Sequence, residues 1–192
     1  MDKQRVILYF GSFNPVHLGH MAVAEYVLRT GMFDQLWLVV SPQNPLKQPG
    51  MLADGAARVD MVRLAVEASA LREKMSVCTV EFELPVPSYT IDTMNELERR
   101  FPEVEYSILM GSDSAATIES WRNWRELLAR YAFYVYPRSG SRADGRFKVL
   151  HGAPEFDCSS TDIRCMVAAG EDVSALVCQS VDEYIKRNGL WR

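Results

Sequence analysis

Apolar residues recur along this chain in two alternating rhythms. Short continuous runs, Val6–Phe10, Gln35–Val40, Glu105–Met110 and Ala132–Tyr136, have the length and side-chain type of buried strands. Between and after them lie segments with helical spacing: Leu18–Arg29, Ala56–Ser69, Thr90–Arg100, Trp121–Arg130, Ser160–Ala169 and Ser174–Asn188. In Thr90–Arg100 the apolar stripe is Ile91, Met94 and Leu97, continued by Phe101. Ser76–Leu84 alternates Cys78, Val80, Phe82 and Leu84 against Val77, Thr79, Glu81 and Glu83, which predicts a half-exposed strand. Phe147–Leu150 reads as a short last strand. Gly31 stops the first helix and Gly170 separates the last two.

Strands that alternate with helices imply βαβ crossovers and a mostly parallel α/β sheet covered on both faces. No repeat, low-complexity tract or composition shift divides the 192 residues, so one domain over 1–192 is expected. Two long loops stand out, Ser41–Gly55 and Pro137–Arg146, a length that suits binding loops as well as plain surface excursions.

Composition narrows the function classes. Hydrophobic residues make up 48% and the net charge is −4, which fits a soluble globular protein with no basic excess for a nucleic-acid backbone. The cysteines, Cys78, Cys158, Cys165 and Cys178, lack close pairing, so neither a metal site nor a disulfide framework is expected and a cytoplasmic location fits best. No apolar stretch approaches the ~20 residues of a membrane span. Self-association is left open.

The turn after the first strand carries the most chemistry. Tyr9-Phe-Gly-Ser-Phe-Asn-Pro-Val-His-Leu-Gly-His20 leaves a strand and opens a helix, where backbone amides and the helix dipole favour an anion. Gly11 allows a sharp turn and close approach. Gly19 does the same at the helix mouth, or lets the helix pack on the sheet. His17 and His20, three residues apart, share one side of the first turn, and near neutral pH either can carry some charge. The dinucleotide fingerprint and the Walker loop are both absent.

A second anion cradle is Cys158-Ser-Ser-Thr-Asp-Ile-Arg164, a hydroxyl-rich helix start with Ser160, Thr161 and Arg164 on one side. Two such helix starts at opposite ends of the chain suit a polyphosphate held between them. Gly111-Ser-Asp113 ends a strand, where ligands of such sheets sit; Asp113 can meet a ribose, a magnesium-bound water, or simply cap the next helix. Trp121 and Trp124 are either core residues or a stacking platform for a flat ring. Lys47, in Pro42-Gln-Asn-Pro-Leu-Lys, either reaches a phosphate or is solvated.

These motifs resemble those of the nicotinate-nucleotide adenylyltransferases, in the nucleotidyltransferase superfamily with the His-x-Gly-His signature. Residues 11–20 are similar to that family's Gly-Thr/Ser-Phe-Asp/Asn-Pro-x-His-x-Gly-His, and 159–164 to its Ser-Ser-Thr-x-Ile-Arg. Ser88-Tyr-Thr-Ile-Asp-Thr93 and Gly111-Ser-Asp113 followed by Trp121-x-x-Trp124 favour the nicotinate branch. The resemblance spans nearly the whole chain and implies a Rossmann-like doubly wound fold. It implies the reaction ATP + nicotinate mononucleotide → deamido-NAD + pyrophosphate, with Mg2+ and no nucleic-acid or membrane partner.

By position, the resemblance puts Gly11, Ser12, Phe13, His17, Gly19, His20, Gly111, Asp113, Ser160, Thr161 and Arg164 around ATP. It puts Asn14, Lys47, Thr90 and Trp121 around the mononucleotide, and gives catalytic roles to His17, His20, Lys47 and Arg164, with no metal ligands from the protein. The chain departs from the pattern at Phe10, where the family has a further glycine, at Leu46, where it often has histidine, and at Cys158, where it has isoleucine. Rival readings are transfer to nicotinamide mononucleotide or phosphopantetheine, and a non-catalytic nucleotide-binding domain.

Overall fold

The computed structural model describes residues 3–43, 52–138 and 145–192. Six strands, β1 (Gln4–Gly11), β2 (Gln35–Val40), β3 (Met75–Cys78), β4 (Val104–Gly111), β5 (Ala132–Tyr136) and β6 (Lys148–Val149), form one sheet in the order β3-β2-β1-β4-β5-β6. All five pairings are parallel. The helices are α1 (Leu18–Arg29), α2 (Gly55–Glu67), α3 (Thr90–Arg100), α4 (Ser112–Ala115), α5 (Trp124–Arg130), α6 (Ser160–Ala168) and α7 (Gln179–Arg187). The parallel α/β sheet covered on both faces that the alternation implies, and the doubly wound fold that the resemblance implies, are observed.

The two-residue period of β1 divides the core. Ile7 and Tyr9 face the side packed by α1, α2, α6 and α7, through Val23, Val27, Met61, Val62, Ile163, Val181 and Ile185. Val6 and Leu8 face the side packed by α3 and α5, through Ile91, Met94, Leu97 and Leu127. The strands are therefore buried on both faces, which is why they read as continuous apolar runs. The strand order reverses between β1 and β4, and their carboxyl ends diverge into a crevice there.

Four expectations need correction. Ser76–Leu84 is not one strand: β3 ends at Cys78 and Val80–Glu83 forms a 3-10 turn. The alternation misleads because Glu81 turns inward, 2% exposed and accepting from Thr93 Oγ1 at 2.9 Å, while Phe82 is 40% exposed. The helix expected from Trp121 starts at Trp124, because Asn123 adopts a left-handed φ of 54°. The last helix starts at Gln179 rather than Ser174, whose amide and hydroxyl bond to Asp172 in a preceding turn. The last strand contracts to Lys148–Val149.

Candidate active site

A cleft of about 880 Å³ opens at the carboxyl ends of β1 and β4. Its walls include both anion-cradle motifs, the Gly111–Asp113 turn and the Ser88–Thr90 segment. Residues 145 positions apart thus meet at one site: Ser160 Oγ donates to the Pro15 carbonyl at 2.9 Å.

His17 is the N-cap of α1, in extended conformation, and His20 lies in the helix's first turn. Their rings are 3.7 Å apart, and His17 also stacks on Phe156 at 5.4 Å. The Leu18 amide donates to Leu176 O and the His20 amide to His17 O. The histidine side chains, rather than these amides, are therefore the donors this helix start offers. His20 Nδ1 accepts from the His17 backbone N–H at 3.2 Å, so in the neutral ring the proton sits on Nε2. Burial, aided by the nearby Arg138 cation, lowers the His17 pKa to about 4. His17 is therefore neutral at pH 7 and acts as a hydrogen-bonding group, not the partial cation its type suggested. Phe13, with φ of 46°, puts its ring edge-on to His20 at 5.1 Å. The same ring would lie 2.8 Å from a Cβ on Gly11, so glycine is needed there to admit Phe13, as well as for the turn.

Gly19 does not line the cleft. A Cβ on it would stand 2.7 Å from the Phe156 ring, so its bareness seats the ring that stacks on His17.

The second cradle is built by a reciprocal cap. Ser159 Oγ and N both donate to Asp162 Oδ2, at 2.6 and 2.8 Å, and the Asp162 amide returns to Ser159 Oγ at 3.2 Å. Arg164 Nη1 donates to Asn14 O at 2.8 Å and Nη2 to Thr161 Oγ1 at 3.2 Å, while its buried Nε has no partner. His17 and Glu81 are likewise buried, Glu81 beside the Thr93, Ser41 and Ser88 hydroxyls, and Arg164, His17, Glu81 and Ser88 all line the cleft. Such a concentration of buried polar groups around an open cleft suits a polar ligand.

At the β4 end, Asp113 bonds Arg138 Nη1 at 3.1 Å. Gly111 admits both, since a Cβ there would meet Asp113 Oδ1 at 2.5 Å and Arg138 Cδ at 2.9 Å. Tyr9 and Tyr136 share a hydroxyl contact of 2.9 Å in the same wall, and burial raises both phenol pKa values. Thr90 opens α3; Trp121 and Trp124 both pack against the core on that side, Trp121 also lining the cleft and Trp124 lying under Arg125 and Arg146. Phe10 joins the same wall, packing on the α3 side of the sheet.

Gly11, Ser12, Phe13, Asn14, His17, His20, Thr90, Gly111, Asp113, Trp121, Ser160, Thr161 and Arg164 all line this one cleft. Lys47 and Leu46 lie outside the described residues. Arg138, Arg122, Glu81 and the two tyrosines line the cleft but were not singled out from sequence. The position of Arg138 directly after a strand's carboxyl end was the available signal.

The cleft's donors are cationic and hydroxylic. Among the described residues no group of three or more His, Cys, Asp or Glu is arranged to hold a metal ion, and no helix is long and apolar enough to cross a membrane.

The cytidylyltransferase-like family model matches residues 8–166. The chain is 36% identical to a probable nicotinate-nucleotide adenylyltransferase of Flavobacterium johnsoniae, covering 98% of this chain and 99% of the relative. It is 35% identical to one of Cytophaga hutchinsonii, with 94% and 95% covered. The fold is similar to that of Plasmodium falciparum nicotinic acid mononucleotide adenylyltransferase complexed with NaAD, with a TM-score of 0.83, 98% and 97% covered and 19% identity. At that identity the likeness is one of fold.

Proposed function

The chain belongs to the cytidylyltransferase-like family and, within it, to the nicotinate-nucleotide adenylyltransferases, and on that premise we propose how it performs this reaction. It joins the AMP of ATP to nicotinate mononucleotide, giving deamido-NAD and pyrophosphate in NAD biosynthesis. The observation that carries the reading is the meeting of the two anion cradles in one cleft, tied by the bonds of Arg164 and Ser160 to the Asn14-Pro15 backbone.

A phosphate oxygen of the mononucleotide attacks the α-phosphorus of ATP. The bond from that phosphorus to the β-bridging oxygen breaks, and pyrophosphate leaves with the electron pair. No protein nucleophile is required, so catalysis consists of positioning and stabilisation of charge. His20 donates from Nε2 to a phosphate oxygen, and neutral His17 donates beside it. Arg164, Thr161 and the head of α6 hold the β- and γ-phosphates. Asp113 lies beside the adenosine, and Thr90 and Trp121 receive the pyridine ring, Trp121 by stacking. Lys47 completes the phosphate contacts on the strength of its sequence position. The donor set fits a triphosphate that arrives with its Mg2+, which would neutralise charge on the leaving group. The reaction belongs in the cytoplasm, and the four free thiols fit that reducing compartment.

The test is incubation with Mg-ATP and nicotinate mononucleotide, with chromatographic detection of deamido-NAD. Formation of the dinucleotide and pyrophosphate in equal amounts supports the proposal; ATP binding without product rejects it.

A further inference from the structure

Arg58, in the first turns of α2, is 1% exposed. Among the described residues its guanidinium donates only to backbone carbonyls. Nη1 reaches Ser12 O at 2.8 Å and Ser41 O at 2.6 Å, Nη2 reaches Pro42 O at 2.9 Å, and Nε reaches Ala53 O at 3.0 Å. Ser12 lies in the turn after β1, and Ser41 and Pro42 follow β2. The Ala53 amide in turn donates to Asn14 Oδ1 at 2.9 Å, so the network closes on the turn that leads to the histidines.

Among the described residues no carboxylate forms an ion pair with Arg58; Asp54 acts on it only through space. Burying a guanidinium without a counter-ion is costly, and four carbonyl dipoles offset that cost without cancelling the charge. The positive charge behind the Ser12–Asn14 turn therefore calls for a reason of its own.

We propose that Arg58 is a positioning residue of adenylyl transfer, locking the Ser12–Asn14 turn against the end of β2 and supplying an uncompensated positive charge that the ATP triphosphate balances. The proposal rests on the adenylyl-transfer reading above. The fork geometry accounts for the positioning, since only a planar guanidinium presents donors to four carbonyls at once. The charge accounts for ATP affinity, because a buried cation is weakly screened.

Arg58→Lys keeps the charge without the fork, and Arg58→Gln loses the charge. Each is assayed, once circular dichroism shows it folded and well below its Tm, for kcat, for KM of the mononucleotide, and for ATP Kd by calorimetry. Arg58→Lys should lower kcat at least about tenfold with ATP Kd within about threefold of wild type. Arg58→Gln should lower kcat comparably and also weaken ATP at least about tenfold. KM for nicotinate mononucleotide should stay within about threefold in both. Folded variants with lower Tm but wild-type kcat and ATP Kd would show a merely structural arginine and overturn the proposal.

Should neither variant fold, Asp54→Asn removes the nearest opposing charge and should tighten ATP about twofold. An unchanged ATP Kd in that variant would overturn the charge argument. Wild-type protein that binds ATP but makes no dinucleotide would defeat the adenylyl-transfer reading instead, and the ATP titrations would still judge Arg58.

Discussion

Arg164 Nη1 donates to the Asn14 carbonyl at 2.8 Å across 150 residues of chain, joining the start of α6 to the turn before α1. The contact brings into one cleft two motifs that are far apart in the chain. Arg164→Lys keeps a charge but cannot hold Asn14 O and Thr161 Oγ1 together while presenting Nε to a ligand. Its kcat/KM for ATP should fall about 10²-fold with the fold intact, as checked by steady-state kinetics beside circular dichroism. A loss under threefold would remove Arg164 from the phosphate site.

His20→Ala should leave folding intact and lower kcat about 10²-fold or more, the usual loss of a preorganised donor. Single-turnover kinetics separate this from slow product release. Near-normal turnover would mean that His20 Nε2 does not meet the reacting phosphate.

The burial of His17 makes stability depend on pH in a defined direction. Its pKa falls from the unfolded value of 6.5 to about 4 in the fold, so the unfolded chain takes up the proton first as pH drops. This group's contribution is fully present above pH 6.5, declines as pH falls through the window, and is gone below about 4. An NMR titration should show His17 neutral at pH 5, and His17→Gln should flatten the fall in Tm across that window. A His17 resonance titrating near 6.5 would contradict the assignment.

How much of this was legible beforehand follows from what each residue does. Strands buried on both faces announce themselves as apolar runs, and the histidines and Ser159–Arg164 carry their chemistry in their spacing. Glu81 misled because a buried carboxylate satisfied by Thr93 looks, in sequence, like the solvent side of a strand. Arg58 was invisible because its partners are backbone carbonyls, which no side-chain pattern encodes. Gly19 was read as either ligand approach or packing, and only the Phe156 ring shows what fills the space beside it.

Gly19→Ala tests that packing. Its Cβ would lie 2.7 Å from the Phe156 ring, so the ring must leave its stack on His17. Overpacking of this kind costs about 1–3 kcal/mol, partly offset by alanine's helix preference. Tm should fall and kcat should drop several-fold, and Phe156→Leu in the same background should restore much of the Tm. Wild-type stability and turnover would show that Phe156 yields freely.

Trp121→Ala should raise KM for the mononucleotide by about tenfold while sparing ATP affinity, since aromatic stacking on a base is worth about 1–3 kcal/mol. Trp124→Phe, on the core side, should change Tm and leave that KM alone. Equal effects on ATP and mononucleotide would move Trp121 out of the pyridine site.

The central claim is that this cleft transfers an adenylyl group from ATP to an acid-bearing pyridine mononucleotide. It is tested most directly by pyrophosphate release from Mg-ATP with nicotinate and nicotinamide mononucleotides side by side. Release should require both ATP and nicotinate mononucleotide, at a kcat/KM well above that for the amide. Release that favours the amide, or none with either mononucleotide, would contradict it.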